Sequence, residues 1–279
     1  MLTKKDLFNI GLAAAVGALL LGAAQVAPLG AAVAAGIGIY QATLQEAKNV
    51  TPEISTAELQ DILAKGSAVV FDARPYAEYA ISHIPGALNA AAKPGVSKAQ
   101  YVSDVAEIGR VVNGDKAKAI VLYCNGPFCP KSKRISGELA AAGYTNIRRY
   151  QLGIPVWRAF GGISVIEVDG LRHVLSLDKT AVLIDVRDAS EFKVGSLPEA
   201  RNIPRASVSE GRDIGEIRLA KDDGRLPMND HNTRIIVVGG TSGDAQYVAQ
   251  AIAHEAFDNV AYFPGTFSEA KAALETSQP

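Results

Sequence analysis

Two kinds of hydrophobic pattern divide this 279-residue chain. From Leu7 to Tyr40 there is no charged side chain, and Glu46 is the first charge beyond that run. After residue 50 the pattern changes to short apolar runs separated by amphipathic stretches. The runs Ala68 to Phe71, Ala119 to Tyr123, Ala181 to Ile184 and Arg234 to Val238 have the length and apolar or β-branched character of buried strands. Between them, Thr56 to Ala64 places Leu59, Ile62 and Leu63 on one stripe. With Ser55 or Thr56 as N-cap and Glu58 in the first turn, that stretch predicts a helix. Lys131 to Ala142 ends at Gly143, a natural stop for a helix, and Gly243 to Ala253 fills the matching place further on. Alternating strands and helices of this length predict an α/β fold, each unit a mostly parallel sheet flanked by helices.

The pattern is also duplicated. Val69-Val70-Phe71-Asp72-Ala73-Arg74, then Glu78-Tyr79, then Ile84-Pro85-Gly86-Ala87 and Asn89 return as Val182-Leu183-Ile184-Asp185-Val186-Arg187, Glu191-Phe192, Leu197-Pro198-Glu199-Ala200 and Asn202. Every pair lies 113 residues apart, which marks one ancestral unit used twice. The expected organisation is an N-terminal segment at 1–49, a first unit at 50–162 and a second at 163–279. Their boundary falls near Gly161-Gly162, just after the Trp157 to Phe160 segment.

Leu7 to Val26 would make about 30 Å of apolar helix, enough to cross the hydrocarbon core of a bilayer. Pro28 and Gly30 mark a break after it. Lys4 and Lys5 ahead of the run predict a cytoplasmic N-terminus, hence an inner-membrane anchor with the globular part facing the periplasm of a bacterium. Ala32-Val33-Ala34 offers a small-x-small cleavage pattern, so export after signal cleavage is the alternative. A buried soluble helix pair is a third reading, which would require a large surrounding core.

Composition narrows the function. With 28 basic against 29 acidic residues, the chain lacks the charge a dedicated nucleic-acid binder uses against phosphates. Much of the 48% hydrophobic content is alanine in the first fifty residues, and the remainder is that of an ordinary globular protein. Two cysteines, Cys124 and Cys129, are too few for a disulfide scaffold. The four histidines show no paired ligand spacing, so neither a metal nor a cofactor is expected.

The chemistry concentrates after the strand-like run ending at Tyr123. Cys124-Asn125-Gly126-Pro127-Phe128-Cys129 reads as a tight loop feeding a helix, with Pro130 suited to its first turn. In a parallel sheet, ligands bind beyond the carboxyl ends of strands, where loop N–H groups and a helix N-terminus favour an anion. Lys131, Lys133 and Arg134 add positive charge there, lowering a thiol's pKa or attracting an anionic substrate. Cys124 is therefore the candidate nucleophile, and Asn125, Gly126, Pro127, Phe128 and Cys129 with Lys131 and Arg134 form the candidate binding loop. The plainer reading makes Cys124 a small buried hydrophobe, a role that a polar, glycine-containing loop serves poorly.

Taken together, Asp72-x-Arg74, Glu78-Tyr79, His83-Ile84-Pro85-Gly86-Ala87 and the Tyr123-Cys124 loop resemble the rhodanese family. The resemblance covers nearly everything from 51 to 275 as two tandem rhodanese-like domains. It implies that Cys124 takes a sulfane sulfur from a donor such as thiosulfate and passes it, as a persulfide, to a thiophilic acceptor or thiol protein. Asp72 and Arg74 match the family's strand-end pair, read as architectural. The second unit departs from the pattern, with Gly239 at the nucleophile's place and Ser196 in place of His83, so it is expected to support or dock rather than react. The first loop departs too, carrying Cys129 where many members have an arginine or a hydroxyl residue. The C-x4-C spacing permits a Cys124–Cys129 disulfide, and Cys129 as a mere small residue at the helix start stays open beside it. The leading expectation is thus a membrane-anchored sulfurtransferase. A thiol-disulfide or arsenate-type reductase using both cysteines, and a non-catalytic periplasmic interaction module, are the alternatives.

Overall fold

The computed structural model describes residues 51–89 and 105–275. The expected N-terminal apolar helix lies outside them, and no helix among the described residues is long and apolar enough to cross a membrane.

The first domain opens with Glu53 bridging to Arg149, then α1 (Thr56–Lys65), β1 (Val69–Asp72), α2 (Tyr76–Ile81), α3 (Val105–Val111), β2 (Ile120–Tyr123), α4 (Pro130–Ala141), β3 (Ile147–Tyr150) and α5 (Gly153–Ala159). The second contains β4 (Ser164–Val165), α6 (Val168–Leu177), β5 (Val182–Asp185), α7 (Ala189–Val194), β6 (Arg201–Asn202), α8 (Gly215–Asp222), β7 (Ile235–Val238), α9 (Ser242–Ala253), β8 (Val260–Tyr262) and α10 (Phe267–Glu275).

Both sheets are parallel. The first has strand order β1-β2-β3, and the second β4-β8-β7-β5-β6. Single parallel bridges extend the first sheet, Leu88 beside Phe71 and Glu53 beside Arg149. With those bridges at its edges, the first sheet has the same order as the second, so the sequence repeat is a repeat of topology.

Residues alternate sides along each strand, which fills both faces. In the first domain Val70, Val121, Tyr123 and Tyr150 pack under α1 and α5 through Leu59, Ile62, Ile154 and Trp157. Phe71, Ile120, Leu122 and Ile147 pack on the opposite face under Ile108, Ile135 and Leu139 of α3 and α4. Helices on both faces bury the strands completely, the reason those strands read as continuous apolar runs. The α1 start is a reciprocal capping box: Ser55 Oγ accepts from Glu58 N, and the Glu58 carboxylate accepts from Ser55 N.

The repeated motif residues do one structural job twice. Arg74 Nε donates to both Asp72 carboxylate oxygens at 2.9 and 3.0 Å, and Arg187 Nε does the same to Asp185 at 3.1 Å. Each arginine reaches on to a backbone carbonyl eight residues ahead, Ser82 O and Gly195 O. Asn89 Nδ2 ties Asp72 O to Arg74 O, and Asn202 Nδ2 ties Asp185 O to Arg187 O. This brace fixes the strand end and the turn into the following helix.

The domains meet along α2 and α6. His83 and Val165 exchange backbone hydrogen bonds at 3.0 and 2.8 Å, and Glu167 N donates to Ala80 O at 2.7 Å. Gly170 lets the helices approach this closely, since a Cβ there would lie 2.0 Å from Ala80 O. Ile81 packs against the second domain's core, and Tyr76 Oη donates to Asp169 at 3.1 Å.

Candidate active site

Cys124 sits immediately beyond the carboxyl end of β2, between β1 and β3, and opens the loop that leads into α4. Its sulfur is bonded to that of Cys129, with the two Cα atoms 6.1 Å apart. Of the two sequence readings of Cys129, the disulfide is the one observed. The loop is pinned from beneath by Ile154 N donating to Cys124 O at 3.1 Å and Gln151 Nε2 to Pro127 O at 2.7 Å, and it closes on itself through Cys129 N donating to Gly126 O at 3.0 Å.

Exposure divides the loop sharply. Cys124 is 1% exposed, whereas Phe128 is 99% exposed and Cys129 is half-buried. Cys129 is the N-cap of the twelve-residue α4, with Pro130 in the first turn and no side-chain capping bond. The helix N-terminus therefore points positive potential at the loop. Lys131 follows in the first turn and is half-buried. Arg134 lies one turn further on, exposed and paired with Glu138 at 2.8 Å.

Asp72 and Arg74 reach the loop through Asn125. Arg74 Nη1 lies 3.5 Å from Asn125 Oδ1, while Asn125 Nδ2 donates to the Glu78 carboxylate. Burial works against the Arg74 charge, but the adjacent Asp72 overrides it and holds the guanidinium protonated well above its ordinary range. Its plane also lies 5.8 Å from the Tyr123 ring centre. Burial raises the Tyr123 hydroxyl well above the usual tyrosine value, and that neutral hydroxyl accepts from Ile84 N at 3.0 Å. His83 stacks on Tyr79 at 3.8 Å between ring centres, and burial lowers its pKa to about 4.

Several contributors were invisible to motif reasoning. Gln151, which holds the Pro127 carbonyl, is itself held by Ser132 Oγ at 3.2 Å and Arg149 Nη1 at 2.8 Å. Arg149 is wholly buried and ion-paired with Glu53. Gly153 lies directly under the loop, where a Cβ would come within 2.4 Å of Cys124 O and Gly126 N. No local sequence signal identifies these residues, because the partners that give them their role are remote in sequence, 24 positions away for Gln151 and 96 for Arg149.

The equivalent place in the second domain has no nucleophile. Gly239 follows β7, and a short Gly239-Gly240-Thr241 turn leads into α9, capped by Thr241 Oγ1 accepting from Asp244 N. A Cβ at Gly239 would meet Val186 Cγ2 at 2.8 Å. Arg187, the counterpart of Arg74, stacks at 3.2 Å on Phe267 instead of reaching a loop amide. Among the described residues no cluster of His, Cys, Asp and Glu could hold a metal ion.

Similarity to known proteins follows the two domains. An HTH-type transcriptional regulator, Rv0324, of Mycobacterium tuberculosis is 32% identical over 111 residues, 39% of this chain and 42% of that protein. The chain thus spans less than half of that relative's length. The "Putative thiosulfate sulfurtransferase SseB" of the same organism is 27% identical over 273 residues, covering 77% of this chain and 92% of its own. The crystal structure of SseA from Escherichia coli, a 3-mercaptopyruvate sulfotransferase, overlaps 78% of this chain and 99% of its own at 20% identity and a TM-score of 0.32. The Rhodanese-like domain family matches residues 55–160 and again 172–273, spanning the brace, the cysteine loop and their duplicate, and the chain belongs to the rhodanese family.

Proposed function

We propose that this protein is a sulfurtransferase that moves a sulfane sulfur from a thiosulfate-type donor to a thiophilic acceptor through a Cys124 persulfide. The position of Cys124 carries the reading: it is the residue that opens the loop between the central strand of the first sheet and the N-terminus of α4. In the reduced protein, the thiolate attacks the outer sulfur of thiosulfate, the donor's S–S bond breaks and sulfite leaves. The helix N-terminus and Lys131 favour both the thiolate and the anion it attacks. The name of the SseB relative agrees with this chemistry.

The test is single-turnover sulfite release from reduced protein mixed with thiosulfate. One sulfite per chain is expected, none from Cys124→Ser, and one added sulfur on Cys124 in Cys129→Ser. Reduced wild type that releases no sulfite would instead support a non-catalytic interaction module.

The Cys124–Cys129 disulfide favours a second reading, a dithiol reductase acting on a partner disulfide or an arsenate-like oxyanion. Under it, Cys129→Ser loses all activity, including the thiosulfate half-reaction. We further propose that the segment from Leu7 anchors the chain in a bacterial inner membrane with residues 51–279 facing the periplasm. Protease added to spheroplasts would then degrade the globular part; protection until lysis would overturn that topology.

A further inference from the structure

We propose that Cys129 discharges the Cys124 persulfide as hydrosulfide, making free sulfide the product and a dithiol reductant the final acceptor. This rests on the sulfurtransferase reading above and assigns its acceptor class.

Three observations carry it. First, the disulfide places the Cys129 sulfur against the inner sulfur of any Cys124 persulfide while the loop keeps its bonds to Ile154 and Gln151 and its own Cys129–Gly126 turn. The Cα separation of 6.1 Å lies within the ordinary disulfide range, so the attack needs no remodelled backbone. Second, Cys129 is the N-cap of α4, so once the disulfide is reduced its thiol stands in the positive field of a twelve-residue helix, which favours the thiolate. Third, Cys124 is 1% exposed, whereas Cys129 is half-buried beside the wholly exposed Phe128. An outside thiol meets Cys129 first, and a tethered thiol competes at an effective concentration of millimolar or more.

The steps balance. Cys124 thiolate takes the sulfane sulfur and releases sulfite. Cys129 thiolate then attacks Cys124 Sγ of the protonated persulfide; the Cys124–Cys129 bond forms, the Sγ–SH bond breaks, and hydrosulfide leaves with the electron pair. Hydrosulfide is a weaker base than an alkyl thiolate, and so a good leaving group. The dithiol's first thiolate attacks Cys129 Sγ, freeing Cys124, and its second sulfur closes the reductant's own disulfide. Overall, thiosulfate and a dithiol give sulfite, hydrogen sulfide and a disulfide, the dithiol supplying both electrons.

The experiment uses the full chain, reduced, freed of reductant and kept anaerobic, then mixed with thiosulfate alone. Wild type is expected to release sulfite and sulfide in equal amounts, lose both thiols and end with the Cys124–Cys129 disulfide. Cys129→Ser is expected to release sulfite while its sulfide falls to background, with the extra sulfur retained on Cys124. A persulfide that persists on Cys124 of wild type, or that moves to Cys129, overturns the discharge step while leaving the transferase reading intact. Absence of sulfite from both proteins overturns the transferase reading itself and the discharge with it.

Discussion

At the residue scale, the site depends on a few buried polar groups whose protonation is set by where the fold puts them. His83 shows this most directly. Burial lowers its pKa from the ordinary 6.5 to about 4, although Nδ1 lies 3.0 Å from Tyr79 O and Nε2 3.7 Å from the Glu167 carboxylate. Asp72, which favours the imidazolium, is offset by the Arg74 charge. Because the folded value lies below the unfolded one, the unfolded chain binds the extra proton. The stabilisation is complete above about pH 6.5 and is lost as pH falls toward 4. Its ceiling is on the order of 3 kcal/mol. His83→Gln should therefore flatten the decline in unfolding free energy between about pH 7 and pH 4.5, measured by urea titration. An unchanged slope in that variant would assign the decline to other groups. The role of Asp72 and Arg74 was legible at this scale, since the same residues recur at Asp185 and Arg187 in the same bonds. Their reach into the loop through Asn125 was not, because only the first copy has an amide there.

At the scale of elements, the four-residue strands made wholly or almost wholly of apolar residues were readable from the sequence, and the four-residue strand with two arginines was not. The strands β2 and β7 are central in their sheets and β1 and β5 lie beside them, and burial on both faces of all four forces a continuous apolar pattern. The strand β3 reads Ile-Arg-Arg-Tyr, and its buried Arg149 is held by Glu53, 96 positions away, and by Gln151. The two-residue β4 and β6 are too short to leave a pattern. The same distance effect hid the support of the active loop, which comes from the β3–α5 junction through Gln151 and Gly153 rather than from its own flanks. Gly153 has φ of 69° and packs where a side chain would strike Cys124 O and Gly126 N. Gly153→Ala should cost on the order of 1–3 kcal/mol in backbone strain and displacement. Since the displaced atoms belong to the peptide of Cys124, the proposed nucleophile, the thiosulfate sulfite burst should slow by about tenfold or more, as expected when a reacting group shifts by an ångström. A burst at the wild-type rate would show that the loop does not lean on this junction.

At the scale of the whole molecule, the domain with Gly239 in place of Cys124 holds one wall of the Cys124 site. The connecting element is α2. Its inner end packs Ile81 on the second domain's core, and the residues after it exchange backbone bonds with Val165. The same helix supplies Glu78 to Asn125 of the loop, and the turn after it supplies Ser82 O to Arg74. A disturbance at the seam should therefore reach Cys124 along this helix, although the seam and the loop share no residue. Gly170→Ala in the full chain tests that coupling, because the added Cβ would sit 2.0 Å from Ala80 O and the two helices must separate. Loss of the Glu167–Ala80 and His83–Val165 backbone bonds and of part of the Ile81 contact predicts a cost of about 2–4 kcal/mol. The thermal midpoint should fall by at least several degrees, with a slower sulfite burst from folded protein well below it. A chain shortened to end at Gly162 loses the seam entirely and should be weaker still, exposing Ile81 and leaving the His83 backbone groups to water. If Gly170→Ala lowers the midpoint but leaves the burst untouched, the second domain contributes stability alone and α2 does not couple it to the loop. If neither the variant nor the shortened chain differs from the parent in midpoint or burst, the supporting role of the second domain is wrong.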